Sequence, residues 1–117
     1  MDRRQDPLKK RRGRTDSKES KERTKRFAIR VIKLVDGLRQ SPSIIVLSKQ
    51  IVRSATSIGA NYRAACGARS SAEFTAKLQI VREESDEAMY WLELLQETED
   101  ELTAILTASL KTARSHQ

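Results

Sequence analysis

Between Ile44 and Cys66 the large or small apolar residues fall at Ile44, Leu47, Ile51, Ala55, Ile58, Tyr62 and Ala65. Steps of three and four residues repeat without interruption, which places all seven on one face of a helix and on no shared face of a strand. A second row, Ile45, Val52, Gly59 and Cys66, recurs every seven residues. Gly59 sits mid-helix, where glycine costs about 1 kcal/mol relative to alanine. Its simplest explanation is a second helix whose backbone passes close by. A third row, Gln50, Arg53, Ser54, Ser57 and Asn61, is polar at the same spacing. It reads either as a solvated face or as a polar seam set against another helix or subunit.

The neighbouring segments repeat the pattern. Phe27, Val31, Leu34 and Leu38 make one stripe of a first helix, surest from Phe27 to Gln40. Ser41-Pro42-Ser43 breaks it. Ser41 suits an N-cap and Pro42 the first helical position, where a missing N–H is no loss. Gly67 suits the stop after the second helix. Ser70 and Glu73 fit a capping box for a third helix, over about 71–97. Its stripe is Phe74, Leu78, Val81, Ser85, Ala88, Leu92 and Leu95. Thr98 and Glu101 fit another capping box, so a fourth helix is expected near Glu99, with Leu102, Ile105, Leu106, Ser109 and Ala113 inward. No Gly or Pro separates the third from the fourth. Either a tight turn lies there or the two run on as one helix, which would send its end to partners in another chain; the turn is the favoured expectation. Tyr90, Trp91, Leu92, Leu94 and Leu95 cover about 200° of the third helix. One bundle core uses a narrower arc, so Tyr90, Trp91 and Leu94 are candidates for an oligomer interface.

No strand pattern and no internal repeat is present. The fold class expected is all-α: an antiparallel up-and-down four-helix bundle over 27–114. It carries a disordered basic N-terminal arm over 1–16, weakly helical to 26.

The arm follows from charge. Of the 117 residues, the first 26 hold 12 Lys/Arg against 5 Asp/Glu, and the remainder hold 11 of each. The whole excess of +7 therefore lies at the N-terminal end. That segment has Leu8 as its one large aliphatic and no aromatic, too little to fold by itself. Ten of its cations, Lys9, Lys10, Arg11, Arg12, Arg14, Lys18, Lys21, Arg23, Lys25 and Arg26, are the candidate nucleic-acid contacts. Without aromatics to stack on bases, such contacts act on phosphates and are salt-sensitive. Five of them on duplex phosphates would give a log K against log salt slope of about −4. The competing reading is a solubilising tail. The folded part is divided too: residues 27–69 carry seven basic side chains and Asp36 alone, whereas 73–101 carry ten acidic ones with Lys77 and Arg82.

Enzyme chemistry finds little to work with, and a non-enzyme is expected. His116 is the only histidine. Ser54 and Ser57 thus lack a base, and the Glu-x-x-His pairs of a di-iron bundle are missing. Glu83, Glu84, Asp86 and Glu87 could take a hard cation but read better as a solvated or ion-paired face, so no metal or cofactor is expected. Cys66, flanked by Arg63 and Arg69, reads as a small core residue. A lone cysteine, no apolar span of about 20 residues and no apolar stretch after the basic run point to a cytoplasmic protein with no membrane partner.

Gln50–Ala65 (QIVRSATSIGANYRAA) and Ser70–Leu95 (SSAEFTAKLQIVREESDEAMYWLELL), with Glu101–Arg114, resemble the bacterial four-helix bundle family, also called the 23S ribosomal RNA intervening-sequence protein family. The resemblance covers about 27–114 and leaves the arm outside. It implies up-and-down bundles assembled as homopentameric rings, some encoded within insertions in ribosomal RNA genes. One relative is an accessory protein that binds nucleic acid and a reverse transcriptase. It also implies that Arg53, Ser57 and Asn61 match a polar motif of the second helix. Lys77, with Glu84 or Glu87, matches charged positions of the third. With Gln50 these form the candidate seam. Two departures stand out: Ala64 replaces a usual Glu, and the stretch between YWLELL and ELTAIL is short. The function expected is an oligomeric accessory protein binding nucleic acid, RNA rather than DNA. The alternative is a protein-interaction adaptor, for example for a reverse transcriptase, without direct nucleic-acid binding. A third rival, a metal-dependent enzyme on the Glu83–Glu87 carboxylates, stands behind both.

Overall fold

The computed structural model describes the backbone of residues 7–115 and the side chains of residues 17–100 and 108. Three helices make up this part of the chain: α1 (Pro7–Asp36), α2 (Pro42–Cys66) and α3 (Ser71–Ser115). No strand occurs among the described residues. The described chain is thus all-helical, with three helices where four were expected.

α2 is the element that the other two share. It packs against both α1 and α3. Val31 of α1, Ile51, Ala55 and Ile58 of α2, and Ala88 of α3 are buried together. Phe27, Val35, Val52, Val81, Trp91 and Leu92 close around them. The face of α2 read from the sequence is therefore the buried one: Ile44, Ile51, Ala55, Ile58 and Ala65 are all buried. Burying an aliphatic side chain contributes about 1.5–3 kcal/mol, so this row dominates the packing.

Gly59 has the role its position suggested. A Cβ built there would lie 3.3 Å from Thr24 Oγ1 and 3.7 Å from the Thr24 carbonyl carbon. Glycine lets α1 come down onto α2 at this point. The helix ends also follow local chemistry. Ser41 is extended (φ −146°, ψ 164°), and its hydroxyl accepts from the Ile44 amide at 3.2 Å. Pro42 opens α2. The helix stops before Gly67, whose φ of −94° is an ordinary value, and the Gly67 amide donates to the Arg63 carbonyl.

Several expectations are corrected. The expected turn near Glu99 is absent, because α3 is one helix of 45 residues. Thr98 does not cap: its hydroxyl donates to the Leu94 carbonyl at 2.7 Å, a bond made inside a helix. A capping box permits a helix start but does not force one where no Gly or Pro stops the preceding turn. The helical stretch also reaches back to Pro7, where a disordered arm through residue 16 was expected. The composition argument concerned a segment folding alone. Joined to a formed helix, Lys- and Arg-rich residues need only propagate it, and propagation lacks the cost of nucleation.

α1 ends at Asp36, short of Gln40, as the Gly37 amide donates to the Lys33 and Leu34 carbonyls. Its inner stripe is Phe27, Val31 and Val35. Leu34 is 46% exposed, and Phe74 of α3 is 43% exposed. The capping box at α3 is half formed: Ser70 Oγ accepts from the Glu73 amide, but the Glu73 carboxylate takes the Arg69 amide instead of that of Ser70.

Candidate nucleic-acid interface and polar seam

The polar row of α2 faces α3 at Arg53. Its guanidinium donates to Glu84 at 3.3 Å, to Glu87, and to Ser54 Oγ at 3.1 Å. Glu84 lies one helical turn before Glu87, so the two carboxylates straddle one planar fork. Glu84 first, then Glu87, hold the guanidinium proton more tightly than usual. Glu87 also accepts from the Trp91 indole N–H at 3.3 Å. One carboxylate thereby orients both the arginine and the indole. Arg53 remains half exposed, which limits the strength of the pairing. Ser54 beneath it is fully buried.

The other seam candidates do not all join this network. Asn61 donates to the carbonyl and hydroxyl of Ser57, both at 2.9 Å, so that pair is satisfied within α2. Gln50 and Lys77 are half-buried and take no part in the Arg53 network. The row therefore divides into an ion-paired centre at Arg53 and an Asn61–Ser57 pair closed within α2. Ser48, which the sequence did not single out, is buried with no hydrogen-bond partner for its hydroxyl.

Of the oligomer-interface candidates, Trp91 packs on the core of its own chain. Tyr90 is exposed and meets Trp91 edge to face at 5.3 Å, and Leu94 is half-buried. Part of the wide apolar arc of α3 is thus used within the chain. Cys66, expected in the core, is half-buried, and its sulfur lies 3.2 Å from Ser17 Oγ.

The cationic candidates Lys9, Lys10, Arg11, Arg12 and Arg14 lie outside the described side chains. Lys18, Arg23, Lys25 and Arg26 are exposed along α1, and Lys21 is half-buried. None of these five forms an ion pair among the described residues, where the pairs shown belong to Arg53. Lys21 and Lys25 converge with Arg63 of α2 on one notch, with Thr24, Thr56 and Gly59 at its base. Arg63 was not among the sequence candidates. Its position one turn beyond Gly59, on the helix α1 approaches, was the available signal.

A separate cleft of about 530 Å³ opens between the end of α1 and the middle of α3. Leu34, Leu38, Met89, Leu92 and Leu95 line it, and Glu93, Glu99 and Asp100 border it. Glu83, Glu84, Asp86 and Glu87 do not gather: Glu84 and Glu87 turn to Arg53, while Glu83 and Asp86 lie with Arg82 on another face. Among the described residues, no group of three or more His, Cys, Asp or Glu side chains is placed to hold a metal. No helix there is long and apolar enough to cross a membrane.

No curated protein matches the chain. A crystal structure of a protein of unknown function from the S23 ribosomal protein family of Bacteroides thetaiotaomicron is 46% identical, with a TM-score of 0.65. The match covers 71% of this chain and 74% of that one. The family pattern described as 23S rRNA-intervening sequence protein fits residues 17–107, from within α1 through most of α3. With the Gly59 contact and the Arg53 seam both inside that span, this chain belongs to the 23S rRNA-intervening sequence protein family.

Proposed function

We propose that the chain is a non-enzymatic helical accessory protein that binds nucleic acid, RNA in preference to DNA, through the cations of α1. The observation that carries this reading is the row of unpaired cations. Among the described residues, Lys18, Lys21, Arg23, Lys25 and Arg26 reach solvent without an acidic partner, and the positive run continues through Lys9–Arg12 in the sequence. Unneutralised Lys and Arg on a helix release counterions when they meet phosphates. Preference for RNA comes from the family's link to ribosomal RNA genes, and a cytoplasmic location belongs to the same reading.

The proposal includes an up-and-down packing. Ser17 meets Cys66, and seven residues on along α1 Thr24 meets Gly59, seven residues back along α2. That register is the one two helices of opposite direction would keep. It also includes assembly as a homo-oligomer, five subunits by family resemblance. α3 at about 68 Å outruns α2 at about 38 Å, so a fourth packed helix would come from another subunit.

Binding of the full chain to RNA, followed by fluorescence anisotropy across a salt series, tests the function. Affinity that falls steeply with salt is expected; binding indifferent to salt would refute it. Light scattering tests the assembly, for which a monomer at micromolar concentration is the refuting result. A second reading, a protein-interaction adaptor, is favoured by the apolar cleft bordered by Glu93, Glu99 and Asp100. Under it the chain captures a protein and shows no direct RNA binding.

A further inference from the structure

We infer that the notch where α1 crosses α2 is a seat for a backbone phosphate of the nucleic acid, held by Lys21, Lys25 and Arg63. The inference rests on the nucleic-acid reading above and moves its centre from the N-terminal run to a fixed place on the fold.

The notch exists because of Gly59. With Thr24 of α1 lying 3.3–3.5 Å from the absent Cβ, the two helices sit close, and Ala28 and Ala60 keep the floor low. Long side chains on either side then stand above a shallow hollow of about 250 Å³. Lys21 and Lys25 are one turn apart on α1, and Arg63 faces them from α2, one turn beyond Gly59. No carboxylate lines the hollow. Like charges one turn apart on a helix repel. Here two are joined by a third across the crossing, and none is ion-paired among the described residues.

The remaining polar groups narrow the ligand. Thr24 Oγ1 donates its one proton to the Lys21 carbonyl at 3.1 Å. Thr56 Oγ1 donates to the Val52 and Arg53 carbonyls, at 2.8 and 3.1 Å. What the notch can offer is positive N–H donors: two ammonium groups and one guanidinium fork. A tetrahedral oxyanion with oxygens exposed on several sides fits that set. Arginine matches phosphate with paired donors while lysine acts as a point charge. The groove on the other flank of α1, lined by Ser20, Arg23, Phe27 and Met89, offers one cation only. The concentration of charge is therefore one-sided, as a strand laid along the α1–α2 crossing would need.

The test compares two full-length variants of equal charge, K21Q/K25Q/R63Q in the notch and R30Q/K33Q/R39Q away from it, on a labelled RNA duplex across a salt series. Each phosphate contact contributes about 0.9 to the slope of log K against log salt. The notch variant is expected to lose about 2–3 from the slope, and the control less than about 1. The single variant R63Q, expected to lose about 0.9, carries the test if the triple one unfolds. Equal losses in the two triple variants, or no loss in the notch variant, would overturn the phosphate seat while leaving RNA binding in place. Absence of salt-sensitive RNA binding by the unaltered chain would overturn both. Sedimentation with phosphatidylglycerol vesicles separates the sources of phosphate. If the notch variant loses vesicle binding and keeps RNA binding, the seat is for lipid and the inference fails.

Discussion

α2 meets its two neighbours by different means. Against α3 it faces opposite charge, and Arg53 is clamped between Glu84 and Glu87 with Trp91 tied to the same carboxylate. Against α1 it faces like charge: the α1 cations and Arg63 repel, and no ion pair crosses that contact among the described residues. What holds α1 is close packing, through Thr24 on Gly59 and through Phe27 and Val31 on Ile51, Ala55 and Ile58. An electrostatically unfavourable contact can stand if backbones approach closely enough to bury apolar side chains around it, since one buried aliphatic outweighs an exposed ion pair. The unspent positive charge then remains available to a polyanion. The α2–α3 contact consumes its charges, whereas the α1–α2 contact keeps them.

Four substitutions at three positions test this contrast. Ile51→Ala removes the fully buried side chain shared by both contacts, and should cost about 2–5 kcal/mol in urea unfolding. A loss below about 1 kcal/mol would mean that the helices are not held by this core. Gly59→Leu drives a side chain into Thr24 and should cost about 1–3 kcal/mol, with α1 lifted first. Hydrogen exchange would read this as lost protection in α1 and retained protection in α3, and uniform loss would contradict the division. Gly59→Ala is the finer probe: its gain in helix propensity, about 1 kcal/mol, is set against a 3.3 Å contact, so its net change should be small. Arg53→Ala should lower the urea midpoint only slightly, because Arg53 is half exposed, and the loss should shrink in high salt. A salt-independent cost would show that Ser54 packing, not charge, is what Arg53 supplies.

Much of this was legible in the residues. The 3-4 spacing of Ile44–Ala65 identified the buried face, Gly59 the close approach, and Ser41-Pro42 the start of α2, because each depends on neighbours within one or two turns. Arg53, and Glu84 or Glu87, were reached separately through family resemblance, and the geometry joins all three in one ion-paired group. Two failures share one cause. Thr98 with Glu101 resembles a helix start, and residues 7–16 resemble part of a tail, but both judgements treated a segment as though it began afresh. Helix once formed continues until something stops it. Leu34 and Phe74 were placed inward by spacing, yet no neighbouring helix covers them enough to bury them.

Sequence alone determined that the chain is helical, where α2 lies and which face it buries, and that the positive excess sits at one end. These are set by local spacing and by counts of charge. Only the tertiary structure decided that α1 lies on Gly59, that Arg63 joins Lys21 and Lys25, and that Trp91 serves its own core. The reason is physical: such contacts join residues tens of positions apart, and their existence depends on how closely two helices approach, a distance that no periodicity encodes.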